Sequence, residues 1–305
     1  MATTLRFRLT GEANPLMLIP VEVNGTGPGE FVLDTGAGTC VLSPEAATRA
    51  GVEKLREKQA MGAGGPMTIA LGRARSMTVG TERHDDVDVA VTAEVERISA
   101  AVKTKLDGVI GFNFLRGYRM TIDYRAQTLR LAKAPNGLEI LEVPERPERH
   151  EEFAADGAHG SAAGSRVSFK LAGAAKPLVM VHVFADGQGP FAFAVDTGAS
   201  RTMISPGLAE QLRLHLVAEP EAVTGGGGQF QISTSSIHWL AVGDAMVRDH
   251  AVGVGGFIDM LGKVLGTRLD GVLGHNFLSQ FLVTLDYPGS TLELLPVSDA
   301  GKLVA

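Results

Sequence analysis

Two aspartates in this chain of 305 residues stand in the same four-residue string. Asp-Thr-Gly-Ala begins at Asp34 and again at Asp196, each time at the end of an apolar run. Glycine tolerates backbone angles that other residues avoid, so the string suits a carboxylate presented on a tight loop after a strand. Two such carboxylates, once brought together, cannot both ionise cheaply and therefore share a proton. One can then act as a base towards water while the other, protonated, polarises a carbonyl, which is the chemistry of an acid hydrolase.

The sequence around the first string repeats around the second. With a shift of 162 residues, 25–28 (Gly-Thr-Gly-Pro) align with 187–190 (Gly-Gln-Gly-Pro). With a shift of 163, three further blocks align: 62–65 with 225–228, 106–115 with 269–278, and 121–124 with 284–287. Blocks that recur in one order indicate an internal duplication. The halves differ by one residue gained between Pro206 and Gly225.

The duplication predicts two domains, at residues 1–134 and 164–305. Between them, residues 135–163 contain three prolines, a charged run and a stretch of small residues, which is typical of an exposed linker. A linker of about 30 residues spans more than the width of one half at about 3.3 Å per residue. The two halves can therefore pair within one chain about a pseudo-twofold axis, and we expect a monomer.

Short apolar runs separated by turn signals, with 38 glycines and few aromatic residues, favour an all-β fold. Residues 21–23 and 183–185 each read as a strand that enters a tight turn at Asn-Gly or Asp-Gly. The returning strands, 31–33 and 193–195, are expected to be buried on both faces. Short helices are predicted at 45–50 and 207–214, each near a proline, and further ones at 113–116 and 276–280.

These motifs together resemble the retropepsin-like aspartic proteases in a tandem, single-chain form. The resemblance rests on the doubled Asp-Thr-Gly-Ala, the glycine-rich segments and an apolar-apolar-Gly-x-Asn element at 109–113 and 272–276. It implies two β-barrel domains related by a pseudo-twofold axis, with the last element running behind the catalytic loop into a helix. Mobile flaps at the glycine-rich segments would close over a polypeptide substrate.

The resemblance also implies a role for each matching residue. Asp34 and Asp196 would form the catalytic dyad, Thr35 and Thr197 would lock the two loops together, and Gly36 and Gly198 would support the loops and line the cleft. Substrate would be contacted at Ala37, Ala199, Gly64, Gly65, Gly227 and Gly228.

Pepsin-like enzymes, the neighbouring single-chain family, fit less well. They usually carry Ser or Thr after the catalytic Asp-Thr/Ser-Gly, a single flap with a Tyr, and disulfides. Here both strings end in alanine, at Ala37 and Ala199, and both halves have a glycine-rich segment. Because alanine has no hydroxyl to stabilise an ionised carboxylate, we expect a pH optimum less acidic than that of a gastric pepsin.

Other titratable residues have ordinary structural interpretations. Asp107 and Asp270 precede Gly-Val and are expected to cap turns, while Asp123 and Asp286 are expected to bond the backbone at strand ends. Cys40, the single cysteine, has Thr202 as its counterpart, which favours a packing residue over a nucleophile. His275 corresponds to Phe112 and is also interpreted as structural.

Composition excludes several classes of partner. A net charge of −6 without a basic run argues against nucleic acid, and no stretch reaches the about 18 apolar residues of a membrane span. Neither glycine run is followed by Lys-Ser or Lys-Thr, so a phosphate loop is disfavoured, and histidine spacing indicates no metal or other cofactor. Residues 1–10 lack the apolar region of a signal peptide, so a cytoplasmic location is expected by default and a periplasmic one if a signal was removed.

The sequence thus predicts an aspartic endopeptidase that uses the Asp34/Asp196 pair. Two alternatives stay open at this point. The chain could be a catalytically silent peptide-binding or scaffold protein of the same fold, or a proenzyme in which residues 1–20 or the linker cover the cleft.

Overall fold

A computed structural model of the protein describes residues 2–11, 15–133, 164–173, 177–216 and 219–297. The predicted linker, 135–163, lies outside the described residues, and the domain boundaries at its ends stay predictions.

Within the described residues, the first half contains eleven strands and three helices. Its strands are β1 (Ala2–Arg6), β2 (Arg8–Leu9), β3 (Met17–Val23), β4 (Thr26–Leu33), β5 (Cys40–Leu42), β6 (Glu53–Gly62), β7 (Gly65–Val79), β8 (Glu82–Val91), β9 (Gly108–Ile110), β10 (Tyr118–Asp123) and β11 (Thr128–Lys133). Its helices are α1 (Pro44–Arg49), α2 (Glu94–Ala101) and α3 (Phe112–Leu115).

The second half repeats this series. Its strands are β12 (Ser165–Ser168), β13 (Lys170–Ala172), β14 (Leu178–Ala185), β15 (Gln188–Val195), β16 (Met203–Ile204), β17 (Glu221–Gly225), β18 (Gly228–Val242), β19 (Ala245–Val254), β20 (Gly271–Leu273), β21 (Phe281–Asp286) and β22 (Thr291–Pro296). Its helices are α4 (Pro206–Gln211), α5 (Phe257–Leu265) and α6 (His275–Leu278).

Each half forms an eight-stranded sheet with the same strand order. The first runs β2-β3-β4-β9-β5-β8-β7-β6 and the second β13-β14-β15-β20-β16-β19-β18-β17. In each, the strand before the Asp-Thr-Gly-Ala string pairs in parallel with the short strand of the Gly-x-Asn element, at Leu33↔Ile110 and Val195↔Leu273. The predicted all-β fold with two repeated domains is confirmed.

A six-stranded sheet, β1-β11-β10-β21-β22-β12, joins the two halves. At its centre β10 and β21 run antiparallel, with Thr121 directly opposite Thr284 and their hydroxyls 3.1 Å apart. These two threonines are equivalent in the duplication, so a pseudo-twofold axis passes between them. The N-terminal strand β1 is an edge strand of this sheet, which places residues 2–6 within the fold.

The core is shared between the halves. A single apolar cluster contains buried side chains from both, among them Ile122 and Leu131 of the first half and Leu285 and Leu292 of the second. Each half therefore completes the burial of the other, and apolar burial favours their association.

The predicted turns and strands are present. Asn24 and Gly25 both have positive φ, 55° and 77°, and Asp186 and Gly187 repeat this at 46° and 77°. Both angles are those of the tight hairpin turn that these dipeptides favour. The returning strands are buried at residues 31–33 and 193–195, as expected.

The helix predictions need two corrections. The helix expected at 207–214 ends at Gln211, because Arg213 takes the left-handed φ of 54° and breaks the helical path. Each half also contains a longer helix that the sequence analysis did not predict, α2 in the first half and α5 in the second. In α2, Val95 is buried and Ile98 is partly buried, packing against an apolar cluster on one helical face, a spacing of three that the sequence does carry.

Candidate active site

The two Asp-Thr-Gly-Ala strings occupy equivalent tight turns at strand ends. The backbone N–H of Asp34 donates to the Ile110 carbonyl at 3.0 Å, and that of Asp196 donates to the Leu273 carbonyl at 3.0 Å. Each aspartate carbonyl in turn accepts a hydrogen bond from the alanine three residues on. The parallel strand pairing thus ends in a turn that fixes each aspartate backbone.

Backbone amides orient the two carboxylates. Gly36 N–H donates to Asp34 Oδ1 at 2.7 Å, and Gly198 N–H donates to Asp196 Oδ1 at 2.8 Å. Each glycine also faces the opposite aspartate: a Cβ at Gly36 would lie 2.6 Å from Asp196 Oδ2, and one at Gly198 would lie 2.8 Å from Asp34 Oδ1. The structure therefore brings Asp34 and Asp196 together, and only glycine fits between each loop and the opposite carboxylate.

Thr35 and Thr197 join the loops by a reciprocal set of hydrogen bonds. Thr35 Oγ1 donates to the Val195 carbonyl at 2.7 Å and accepts from Thr197 N–H at 3.1 Å. Thr197 Oγ1 donates to the Leu33 carbonyl at 2.8 Å and accepts from Thr35 N–H at 3.1 Å. Both side chains are buried, so the bonds are shielded from competing water.

Burial raises the pKa of both aspartates above the usual range, and for Asp34 the neighbouring Asp196 charge and a hydrogen bond to that carboxyl raise the pKa further. Hydrogen bonds from backbone amides act in the opposite direction but are outweighed. Both residues keep a solvent-accessible edge, so water can reach them. Two acids in such contact titrate as one unit that holds a proton more strongly than isolated carboxyls do.

The glycine-rich segments form the tips of two hairpins: the first hairpin is β6–β7 and the second hairpin is β17–β18. Gly64 N–H of the first donates to the Gly226 carbonyl of the second at 2.8 Å. A Cβ on Gly62 or Gly64 would collide with the backbone of the second tip, and one on Gly227 would collide with Gly65. The two tips therefore contact each other closely through backbone atoms, which the absence of a glycine side chain permits.

The second hairpin also lies beside the Asp-Thr-Gly-Ala loop of its own half. Val223 and Phe230 of this hairpin pack on the same apolar cluster as Ala199 of the Asp-Thr-Gly-Ala string. Ala199 of the loop and these two residues of the hairpin thus pack on one apolar cluster.

A family model described as Aspartyl protease matches two stretches of the chain, residues 19–114 and 179–277, which together exceed half of its length. The chain belongs to the aspartyl protease family. Each match contains one Asp-Thr-Gly-Ala string, one glycine-rich hairpin tip and one Gly-x-Asn element, so the resemblance to a two-repeat retropepsin-like protein is confirmed. A comparison with curated proteins found no match.

In this aspartyl protease family member the Gly-x-Asn elements support the loops from behind. The N–H of Phe112 donates to the Ala37 carbonyl, and that of His275 donates to the Ala199 carbonyl, both at 2.8 Å. The Asn113 side chain accepts from Cys40 N–H at 2.8 Å, and Asn276 accepts from Thr202 N–H at 2.7 Å. Each element then enters a short helix, α3 or α6, as the resemblance implied.

Cys40 is a packing residue of this scaffold. Its side chain is fully buried, and its Sγ accepts a hydrogen bond from Gly111 N–H at 3.5 Å. Thr202 does the same for Gly274 N–H at 3.4 Å. Burial raises the pKa of the Cys40 thiol to about 12, so the reactive thiolate is suppressed.

His250 was not singled out from the sequence, because its equivalent is Val87 and no motif surrounds it. It lies buried in β19 with Nε2 3.0 Å from Thr202 Oγ1. Burial lowers the pKa of this histidine to about 4. It is therefore neutral near pH 7 and bonds to Thr202.

Two tyrosines pack across the interface between the two halves. Tyr124 of the first half packs edge-on against His275 of the second, with ring centroids 5.0 Å apart. Tyr287 of the second half packs likewise against Phe112 of the first at 5.6 Å. Burial raises the pKa of both phenols, and the nearby Asp196 charge for Tyr124 and the charges of both aspartates for Tyr287 raise it further. His275 serves as a packing residue here, as predicted.

The remaining symmetric carboxylates bind backbone. Asp107 accepts from Glu30 N–H at 3.0 Å and Asp270 from Ala192 N–H at 2.8 Å. Asp123 and Asp286 accept from the N–H three residues on, which closes a turn after β10 and β21. The backbone bonds expected for Asp123 and Asp286 at strand ends are confirmed. The turn-capping role expected for Asp107 and Asp270 needs correction, because each carboxylate bonds the backbone of a strand distant in the sequence, β4 or β15.

Among the residues that the structure describes, no group of His, Cys, Asp and Glu side chains is arranged to hold a metal ion. Within the same residues, none of the six helices combines the length and apolar character that crossing a membrane requires.

Proposed function

We propose that this protein is an aspartic endopeptidase in which Asp34 and Asp196 form one catalytic dyad. The observation that carries the proposal is the pairing of the two carboxyls: each is oriented by its own loop, faces the opposite glycine and has a raised pKa. One proton shared between them supplies an acid and a base at the same position.

In the proposed reaction a water molecule lies between the carboxyls. The ionised carboxylate removes a proton from this water as its oxygen attacks the peptide carbonyl carbon, and the protonated carboxyl donates its proton to the carbonyl oxygen. The resulting tetrahedral gem-diol collapses when the C–N bond breaks. The leaving nitrogen receives a proton from the carboxyl that took it from water, and the other carboxyl recovers a proton from the second hydroxyl. The dyad ends in its starting state.

The proposed substrate is an extended polypeptide. Ala37 and Ala199 end the two Asp-Thr-Gly-Ala loops and are proposed to contact this polypeptide. The hairpin tips present backbone groups that suit strand-like hydrogen bonds to a peptide, at Gly64, Gly65, Gly227 and Gly228. Under this proposal the two hairpins act as flaps that must separate before substrate can enter. Thr35, Gly36, Thr197 and Gly198 hold the carboxyls in place.

The proposal also places the whole site in one chain. The central pairing of β10 with β21 and the shared core support pairing of the halves within the molecule. Sedimentation of the active protein as a monomer would agree with this, and an obligate dimer without active monomer would contradict it.

The decisive experiment is digestion of a peptide library, followed by mass spectrometry of the products. The full chain is compared with Asp34→Asn, Asp196→Asn and the control Asp259→Asn, which changes an exposed carboxyl on α5. Cleavage is expected for the full chain and the control, with none for either dyad variant. A statine-containing transition-state analogue should block it. Cleavage by a dyad variant would refute the shared dyad, whereas peptide binding without cleavage by the full chain would indicate a silent scaffold.

A further inference from the structure

The two hairpin tips are not held in the same way. Gly64 of the first hairpin and Gly227 of the second are equivalent in the duplication. Gly64 N–H donates across to the Gly226 carbonyl, whereas Gly227 N–H donates to the Glu94 carboxylate at 3.2 Å. Glu94 begins α2 of the first half. The Gly227 amide therefore bonds the second tip to the body of the opposite half. The equivalent amide, that of Gly64, bonds the first tip to the second tip.

The Glu94 side chain is placed for this contact by its own neighbours. Its Oε1 accepts from Arg97 Nη1 at 2.7 Å, while Oε2 faces Gly227. Only 11% of the side chain is exposed, although Arg97 is largely in solvent. A hydrogen bond from an amide to a shielded, oriented carboxylate is stronger than one between neutral groups.

The equivalent position in the second half is unable to make this bond. It is Phe257, which packs against Phe230 of its own hairpin with ring centroids 4.5 Å apart. Arg97 likewise corresponds to Met260. The carboxylate contact thus breaks the symmetry of an otherwise duplicated pair of tips.

We infer that Glu94 is a positioning residue that anchors the tip of the second hairpin to the first half. The second hairpin then resists opening more than the first, and substrate enters mainly by movement of the first hairpin. The anchor itself is independent of catalysis, whereas its effect on substrate capture rests on the proposed protease function.

Hydrogen exchange of the full chain at pH 7, followed by mass spectrometry, tests the anchor. Peptides across residues 221–232 report the second tip and peptides across 53–67 the first. Glu94→Ala should accelerate exchange in the second tip on the order of tenfold, and more than in the first tip, since a lost charge-assisted bond lowers the cost of opening. Glu96→Ala, an exposed neighbour on α2, is the matched control and should leave both tips unchanged.

Glu94→Gln keeps the size and one amide oxygen but loses the charge, so a smaller acceleration is expected. It decides the question if Glu94→Ala fails to fold. Second-tip exchange equal to that of the unaltered chain in the variant that folds would overturn the inference, as would equal acceleration of both tips.

With a peptide that the unaltered chain cleaves, Glu94→Ala should raise KM several-fold with little change in kcat, because the dyad is untouched. Glu94→Gln should recover part of that loss. An unchanged KM would refute the role in substrate capture. If the unaltered chain cleaves no peptide, the proposed function fails, while the exchange data still decide whether Glu94 anchors the tip.

Discussion

The hydroxyl of Thr35 accepts a hydrogen bond from the backbone N–H of Thr197, and the hydroxyl of Thr197 accepts one from Thr35, each at 3.1 Å. Each loop therefore holds the loop that carries the other aspartate. The position of one carboxyl relative to the other is set by four buried bonds between the halves, of which these are two.

Replacing Thr35 with valine tests this lock. Valine has nearly the same shape but leaves Thr197 N–H and the Val195 carbonyl buried without partners, which should destabilise the protein by about 3 kcal/mol. The proposed turnover should fall at least about tenfold because the dyad geometry loosens. Urea unfolding and kcat measure the two effects. Thr35→Ser retains the hydroxyl and should stay close to the unaltered protein; a stable, fully active Thr35→Val variant would contradict the lock.

The raised pKa values of the dyad predict a bell-shaped pH profile for cleavage. The proposed mechanism requires one proton on the pair, so a raised pKa moves the acidic limb of the profile to higher pH. We expect kcat/KM to peak above about pH 3. Ala37→Ser would add a hydroxyl able to stabilise an ionised carboxylate and should move the acidic limb to lower pH. A maximum below about pH 3 in the unaltered protein would count against this interpretation.

The same burial predicts that a dyad variant is more stable than the unaltered protein at neutral pH. An acid whose pKa is higher in the folded than in the unfolded chain favours folding at low pH, and that stability is lost as the pH rises through the folded pKa. Asp34→Asn removes the ionisation, so its melting temperature at pH 7 should rise by a few degrees, equivalent to about 1 kcal/mol. The difference should shrink at pH 4. Equal melting temperatures at pH 7 would show that the pair costs no stability.

The lowered pKa of His250 predicts that the folded protein loses stability on mild acidification. Its folded pKa of about 4 lies below the ordinary value of 6.5, so the unfolded chain binds a proton first as the pH falls. Stability should decrease by about 3 kcal/mol between pH 6.5 and 4 from this group alone. His250→Val, which copies Val87, should flatten the curve of unfolding free energy against pH, whereas the exposed His182→Gln should not. Parallel curves for His250→Val and the unaltered protein would refute the assignment.

The close contact between the two hairpin tips predicts opposite outcomes for alanine substitutions at Gly62 and Gly226. A Cβ on Gly62 would collide with Gly226, so Gly62→Ala should displace the hairpins and lower kcat/KM on the order of tenfold. A Cβ on Gly226 would have its nearest neighbours at 3.9 Å, and Gly226→Ala should be tolerated. Steady-state kinetics with one peptide compare the two. Equal effects of both substitutions would mean that the tips do not need close contact.

The predictions from sequence agree best with the structure for the features that occur in both halves of the duplication. Identical strings at a nearly constant shift must occupy equivalent places in two similar halves, so the sequence was enough to pair Asp34 with Asp196 and to predict the all-β fold. The local turns at Asn24 and Asp186 were predicted equally well, because Asn-Gly and Asp-Gly tolerate the positive φ that such turns require.

Other features depended on residues far apart in the chain. The bond from Gly227 to Glu94 joins residues 133 positions apart, and His250 meets Thr202 across 48. No local sequence motif marks either contact. The duplication does not reveal them either, because it predicts only what the two halves share, and Glu94 and His250 have different residues at the equivalent positions. The amino-acid sequence by itself therefore determined the repeat, the strand ends and the paired carboxylates, whereas only the tertiary structure decided how the two halves differ. The physical reason is that repeated residues fold into equivalent structures, so the sequence alone reveals what the halves share. The differences between the halves arise from contacts between side chains that come together only after the halves have packed.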